Sequence, residues 1–367
     1  MPMDLDLSDH FLLLMLREDP FISPNELAEA MNISANTVRA RIQRLKKVGL
    51  LRGDSHIDDA VLGRRTITEV FATPNYSSLG LRRIDVLLIG IKDKKALQSI
   101  YHQLDNHPYT IYRSFGFSMV PMIYTVFAMP EDPFGYLRQF LQGMKDTNLF
   151  QDYLIFQFPY HISTKEMLDY WNIHLGQWDY DISSLEFTSH KIPEQREEFQ
   201  QKFTCLDLML LRELTINAKV KIKDLSNHYK NDRTTISRHM RYVKENLVQD
   251  YGIIYDRTVF NLGNFRIYWG EWERKSPIVS LMEGRFPFNS NISYDRKHFV
   301  WLVQASNPIL NDLSLLLFNE TKQLNQAIIY TETGLRYYFY PNNYDCENRR
   351  WKYGAEYLLI DKTEENN

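Results

Sequence analysis

Residues 27–50 read LAEAMNISANTVRARIQRLKKVGL and residues 225–248 read LSNHYKNDRTTISRHMRYVKENLV, two helix-turn-helix spellings that align without a gap. Leu27 matches Leu225, Thr37 matches Thr235, Val38 matches Ile236, Ile42 matches Met240 and Leu45 matches Val243, at a constant offset of 198 residues. Solenoid repeats recur every ~20–50 residues, so a unit returning after this distance points instead to duplication of a whole domain pair. The unit is one that lays its second helix in a DNA groove. Two copies in one chain therefore predict a built-in pair of half-site readers.

Working outward from the first copy, residues 8–17 (SDHFLLLMLR) predict a short apolar helix. Ser23-Pro24-Asn25-Glu26 then carries three start signals: a capping serine, a proline in the first turn and an acid three residues after the cap. Asn32-Ile33 makes the turn, Ser34 caps a third helix to residue 48, and Gly49 ends it. Beyond it, β-prone residues 50–52 and 66–72 flank a polar loop, which predicts a wing with Arg64 and Arg65 at an enlarged tip.

From residue 81 the pattern changes. Strand 83–92, helix 94–106, strands 110–117 and 119–129, helix 133–144 and strand 152–158 follow in the order of a ferredoxin-like βαββαβ plait. The order recurs as strand 265–272, helix 277–282, strands 290–295 and 298–305, helix 308–318 and a last stretch at 327–340, read as a hairpin broken at Thr333-Gly334. Each half closes on an aromatic run ending in proline, Phe156-Gln157-Phe158-Pro159 and Tyr338-Phe339-Tyr340-Pro341, with Trp171 and Trp351 downstream. Between the halves, KIPEQREEFQQK reads as a loose or helical connector. The expected fold class is α+β, two copies of a winged helix-turn-helix followed by a ferredoxin-like domain. The expected domains are 1–75 and 80–160, a connector at 161–202, then 203–262 and 263–360.

The 367 residues carry 43 basic and 46 acidic side chains, a net charge of −3, so any footprint for nucleic acid must be local. The two cysteines, Cys205 and Cys346, have no metal-ligand spacing. Cys205 falls on an apolar helical stretch, which predicts a buried free thiol and a reducing cytosol. No apolar run approaches the ~18 residues that span a bilayer, and MPMDLDLSDH lacks the pattern of an export signal. A cytoplasmic protein without membrane contact, metal or cofactor is expected.

On a helix advancing about 100° per residue, Val38, Ile42 and Leu45 face the core. Asn36, Ala40, Gln43 and Lys47 face outward, with Arg39 and Arg44 at the edges. Residues 34–53 hold six bases (Arg39, Arg41, Arg44, Lys46, Lys47, Arg52) and no acid, a face that a phosphate backbone attracts. Asn36 and Gln43 suit adenine edges and Arg39 guanine, while the other cations suit phosphates. Ser34 and Thr37 sit at the helix start, where amides favour an anion. Arg41 lies nearer the core, where an ion pair with Glu29 competes with DNA contact. In the second copy Arg233, Thr234, Ser237, Arg238 and Arg241 are the expected contacts, with Glu245 standing where the first has Lys47 and Asp232 replacing the capping Ser34.

This order of domains resembles the leucine-responsive regulatory protein/AsnC family of transcription regulators, in a tandemly duplicated form. Leu27, Glu29, Ser34, Thr37, Val38, Arg41, Ile42, Leu45 and Gly49 meet its spelling. In the second copy Glu29 becomes Asn227, Arg41 becomes His239 and Gly49 becomes Leu247. The resemblance implies a regulator of double-stranded DNA, and an internal pseudo-dimer in place of two subunits, with homodimerisation left open. It also implies an effector near the hairpin between strands two and three, often marked Gly-x-x-Asp. Here Gly116 is followed by Met119, and Asp295 is preceded by Ile292. A small-molecule effector at the ferredoxin-like domains stays open, but amino-acid sensing does not carry over.

No phosphate loop, dinucleotide fingerprint, metalloprotease helix or nucleophile elbow occurs in a fitting context. The ten histidines are scattered, and His102 and His107 read as surface or core residues. Two alternatives to a regulator remain. One is an interaction scaffold with degenerate DNA modules. The other is a siroheme decarboxylase-like tetrapyrrole enzyme, which would need a pocket of histidines and arginines that the sequence does not mark.

Overall fold

The computed structural model describes residues 5–59, 63–132, 134–182, 203–272 and 286–359. The chain opens with α1 (Leu7–Glu18), α2 (Pro24–Met31) and α3 (Ala35–Lys47). Asp6 and Asp9 cap α1 reciprocally, and Ser23 with Glu26 does the same for α2. Asn32 takes the left-handed conformation that ends α2, and the Ser34 side chain accepts the amide of Thr37 at the start of α3. Val38 and Leu45 are fully buried against Leu12, Leu13 and Leu27, as the helical spacing requires.

The wing differs from expectation. Its strands are β1 (Ser55–Asp59) and β2 (Gly63–Ile67), so Arg64 and Arg65 lie on a strand rather than at the tip. Residues 50–52 and 66–72 do not pair with each other. Instead β3 (Val70–Pro74) runs antiparallel to β11 (Val248–Ile253), a strand from the other half of the chain.

The first plait is β4 (Arg82–Ile89), α4 (Lys94–Asn106), β5 (Thr110–Phe117), β6 (Pro121–Met129), α5 (Tyr136–Asp146) and β7 (Asp152–Phe156), in spatial order β7-β4-β6-β5. After α6 (Cys205–Ile216), α7 (Ile222–Tyr229) and α8 (Arg233–Asn246), the second sheet holds β12 (Phe265–Trp272), β13 (Asn289–Tyr294), β14 (His298–Gln304) and β15 (Thr321–Ile329). Its order, β15-β12-β14-β13, repeats the first. α9 (Asn307–Glu320) leads straight into β15, which begins six residues before the expected 327. The helix expected at 277–282 and the charged run at 191–202 lie outside the described residues.

Two segments join the sheets where a connector and a hairpin were expected. Residues 161–164 belong to β8 (Tyr160–Thr164), which pairs with β13, so the connector begins as a strand of the other sheet. The stretch after β15 does not fold back as a hairpin. It turns at Thr331–Thr333 and pairs with β5 as β16 (Leu335–Arg336). β5 also meets β15 directly at Gly116 and Phe117, completing one ten-stranded sheet. Glycine is needed at 116: a Cβ there would lie 2.5 Å from the Ile328 carbonyl oxygen.

Strand alternation explains why the halves stay together. Ile84, Val86 and Leu88 of β4 face the helices, whereas Leu87 faces the other way. Leu87, Met122, Tyr124 and Val126 form one buried cluster with Ile267, Val300, Leu302 and Ala327 of the second sheet. Each plait thus covers the apolar face that the other leaves open. The tails exchange as well. The indole of Trp178, in the ribbon of β9 (Trp171–Asn172) and β10 (Gln177–Trp178), donates to the Phe260 carbonyl (2.7 Å). That of Trp351, in the ribbon of β17 (Tyr344–Asp345) and β18 (Arg350–Trp351), donates to the Leu79 carbonyl (2.8 Å).

Cys205 is not a free thiol. It forms a disulfide with Cys346, tying the start of α6 to the turn between β17 and β18. Among the described residues, no helix is long and apolar enough to cross a membrane.

Candidate nucleic-acid interface

The capped start of α3 fixes which of its side chains reach solvent. Ser34, Asn36, Thr37, Arg39, Gln43 and Lys47 are all exposed. The Ser34 hydroxyl is 2.8 Å from that of Thr37, and Arg39 donates to the Asn36 amide oxygen at 3.0 Å. That bond orients Arg39 along the outer face beside the residue expected to read adenine. Free amides at the helix start add partial positive charge to the same end.

The other cations of the predicted face are engaged within the chain. Arg41 donates to Asp6 and to the buried carboxylate of Asp9, each at 2.8 Å, and not to Glu29. Arg44 also pairs with Asp9 while its side chain remains 46% exposed. Lys46 is held between Asp54 (2.8 Å) and Glu69 (2.9 Å). Those carboxylates lie outside residues 34–53, so a count of charges within the helix could not show them. Arg39 and Lys47 have no carboxylate partner among the described residues.

The wing arginines part company. Arg64 is exposed. Arg65 forks onto Glu213 of α6 at 2.9 Å, and the Tyr229 hydroxyl donates to the same carboxylate at 3.0 Å. With Glu213 almost fully buried, Arg65 is a bolt between the hairpin and α6 rather than a side chain offered to DNA. The surroundings agree: Ile67 packs on Ile216, and Thr68 bonds Asn217 at 3.0 Å.

On α8, Arg233, Thr234, Ser237, Arg238 and Arg241 are exposed as expected, beside an exposed Glu245. Asp232 caps the helix by accepting the Thr235 amide and hydroxyl. His239 takes the place of Arg41, 2.8 Å from the buried Asp207. No hairpin follows: α8 ends at Asn246 and β11 starts at Val248, so the wing expected in 203–262 is absent among the described residues.

With that geometry in view, the family match falls on the first unit. Residues 5–52 match the family of winged helix-turn-helix DNA-binding domains. A 61-residue stretch is 39% identical to the transcriptional regulator AldR of Mycolicibacterium smegmatis, covering 16% of this chain and 36% of that protein. The match thus spans about a third of the regulator's length. Among solved structures, the siroheme decarboxylase NirDL superposes over 96% of each chain, at 11% identity and a TM-score of 0.48. AsnC of E. coli superposes over 42% of this chain and 95% of its own, at 17% identity and a TM-score of 0.31.

One feature of the fold escaped the sequence reading. A cleft of about 1580 Å³ opens between the β3–β11 ribbon and the joined sheets, lined by arginines from both halves and by His161. His161 on β8 contacts Ser293 (3.2 Å), which donates to the buried Asp85 (2.8 Å). Arg83 and the Tyr124 hydroxyl also donate to Asp85, at 2.8 and 2.5 Å. His161 is exposed to the cleft, and the protein around it, then the Arg83 charge, lower its pKa below the ordinary imidazole value, so the ring is neutral at pH 7. No local motif spells this group, because its members come from β4, β6, β8 and β13.

Proposed function

We propose that the chain is a sequence-specific regulator of transcription on double-stranded DNA, without enzymatic activity, built as a tandem pair of Lrp/AsnC-like units that form an internal pseudo-dimer. The observation that carries the reading is the exposed face of α3. It combines two amide side chains with two cations that no carboxylate of the described chain neutralises. The matched family supports the same assignment for residues 5–52, and the 61-residue likeness to a transcriptional regulator supports the same class of function. For the duplication, the support is the repeated strand order, the exchanged β8 and β16, and the Asp9–Arg41 and Asp207–His239 pairs at equivalent places.

In this reading α3 is the principal reader, α8 a weaker second one, and Arg64 a phosphate contact from the wing. Arg44 and Arg65 act chiefly within the fold. Titration of a labelled duplex by fluorescence anisotropy from 50 to 200 mM salt tests it. Each phosphate contact contributes about 0.9 to the slope of log K against log salt. The double variant Arg39→Gln, Lys47→Gln is therefore expected to bind more weakly and to lose slope by between one and two contacts. Unchanged affinity and slope would contradict the assignment. So would a purified protein that carries a visible chromophore and shows no salt-dependent duplex binding.

A further inference from the structure

The wing of the first helix-turn-helix is not a free hairpin, and the residues that hold it belong to the second unit. Arg65 of β2 forks onto Glu213 of α6, with Nε 2.9 Å from one carboxylate oxygen and Nη2 2.9 Å from the other. The Tyr229 hydroxyl of α7 donates to the same carboxylate. Just beyond the wing, the buried carboxylate of Glu69 lies 2.9 Å from the ammonium of Lys46, on α3. It lies 2.7 Å from that of Lys219, in the turn between α6 and α7. The Val70 carbonyl then accepts the Ala218 amide at 3.0 Å, where β3 begins its pairing with β11.

Two buried carboxylates, one from each unit, are thus each held by a partner from either unit. Glu69 sits between Lys46 and Lys219, and Glu213 between Arg65 and Tyr229. α8 is tied in turn to α6, because His239 lies 2.8 Å from the buried Asp207. A ribbon of two strands has little stiffness by itself. The carboxylates change that, because shifting one unit against the other would pull a cation or a hydroxyl away from a buried charge.

We propose that Glu69 and Glu213 are positioning residues for DNA recognition: they lock α3 and α8 into one rigid pair, so that the chain reads two half-sites at a single spacing. Neither carboxylate touches DNA, and each acts through the unit that it fixes. The use of the lock rests on the DNA reading proposed above, whereas the lock itself is a property of the free protein. Two linked readers gain from each other only where their geometry matches the spacing of the sites.

Two measurements on the full chain test it. Spin labels at Gln43→Cys and Ser237→Cys, both exposed, report the distance between α3 and α8 without DNA by double electron–electron resonance, the native cysteines being joined to each other. One narrow distance is expected, and a broad distribution once Glu69→Gln and Glu213→Gln are combined. In duplex titrations, inserting ~5 base pairs, half a turn, between the half-sites of a selected duplex is expected to weaken binding about tenfold. The double Gln variant is expected to lose most of that penalty while binding a duplex with only the first half-site as the unaltered protein does. A broad distribution in the protein without Gln substitutions overturns the lock and requires no such variant. An insertion that leaves the affinity of the unaltered protein unchanged overturns the single spacing. A double variant that keeps both the narrow distance and the full penalty overturns the role of the two carboxylates. A narrow distance in a protein that binds no duplex supports the lock and contradicts the DNA reading instead.

Discussion

At the scale of single residues, exposure and partner decide what a cation can do. Arg44 and Lys47 lie three residues apart on one helix, but Asp9 opposes Arg44 and no carboxylate of the described chain opposes Lys47. Arg44→Ala orphans part of a buried carboxylate, which costs roughly 1–3 kcal/mol. Lys47→Ala is expected to leave stability within about 0.5 kcal/mol, as for other surface changes. In duplex binding the order reverses, with Lys47→Ala reducing the salt slope more than Arg44→Ala. Urea melts paired with anisotropy titrations check both halves. Equal effects of the two variants in both measurements would show that Asp9 does not retain Arg44.

At the scale of elements, Glu166 is the hub that fixes α1 to the other half of the chain. Its side chain is fully buried between Arg17 (2.9 Å), the Tyr255 hydroxyl (2.8 Å) and Arg257 (3.4 Å). Burial alone would raise its pKa, but Arg257 and Arg17 outweigh burial and bring it to about 2, from an ordinary 4.5. A carboxylate depressed in the folded state contributes stability that is present above its unfolded pKa and lost as pH falls through the folded one. The window is thus about pH 4.5 down to 2, and the amount roughly 3 kcal/mol. Glu166→Gln is expected to lower stability at pH 7 and to flatten that acid limb in denaturant melts. An acid limb as steep as in the unaltered protein would contradict the hub.

How far the sequence could be read divides along the same lines. Caps, helical spacing and strand alternation are local, and they place α1 to α4, β5 and β12 to within a residue. The wing, the connector and the last hairpin were misread because their partners are remote. β3 pairs with β11, β8 with β13 and β16 with β5. The outward face of α3 was legible from its period, but the carboxylates that neutralise Arg41, Arg44, Lys46 and Arg65 lie on other elements. Cys205 has an apolar helical setting that suits a free thiol, and only the fold brings Cys346 to it.

At the scale of the whole molecule, the two halves are held by the shared sheet and the exchanged tails, while a disulfide ties the start of α6 to the tail of the same half. Cys205 and Cys346 are separated by 141 residues. A cross-link closing so long a loop restricts the unfolded chain, and such bonds typically stabilise by about 2–4 kcal/mol. Thiol titration in denaturant is expected to find no free cysteine, and the double Ser variant to melt earlier by that amount. Two titratable thiols in unreduced protein would contradict the bond.

The two halves of the proposed regulator are nonetheless unequal. α3 has a hairpin wing and no acid on its outer face, whereas α8 lacks the wing and exposes Glu245. The bound site should therefore carry two different half-sites about one helical turn apart, ~34–36 Å, with affinity resting mainly on the first unit. The most direct measurement selects bound duplexes from a random pool and footprints them, with the exposed cations of α3 and then of α8 neutralised. The account predicts a non-palindromic site and a far larger loss of protection from the α3 variant. A symmetric palindrome, or equal losses from the two variants, would contradict it.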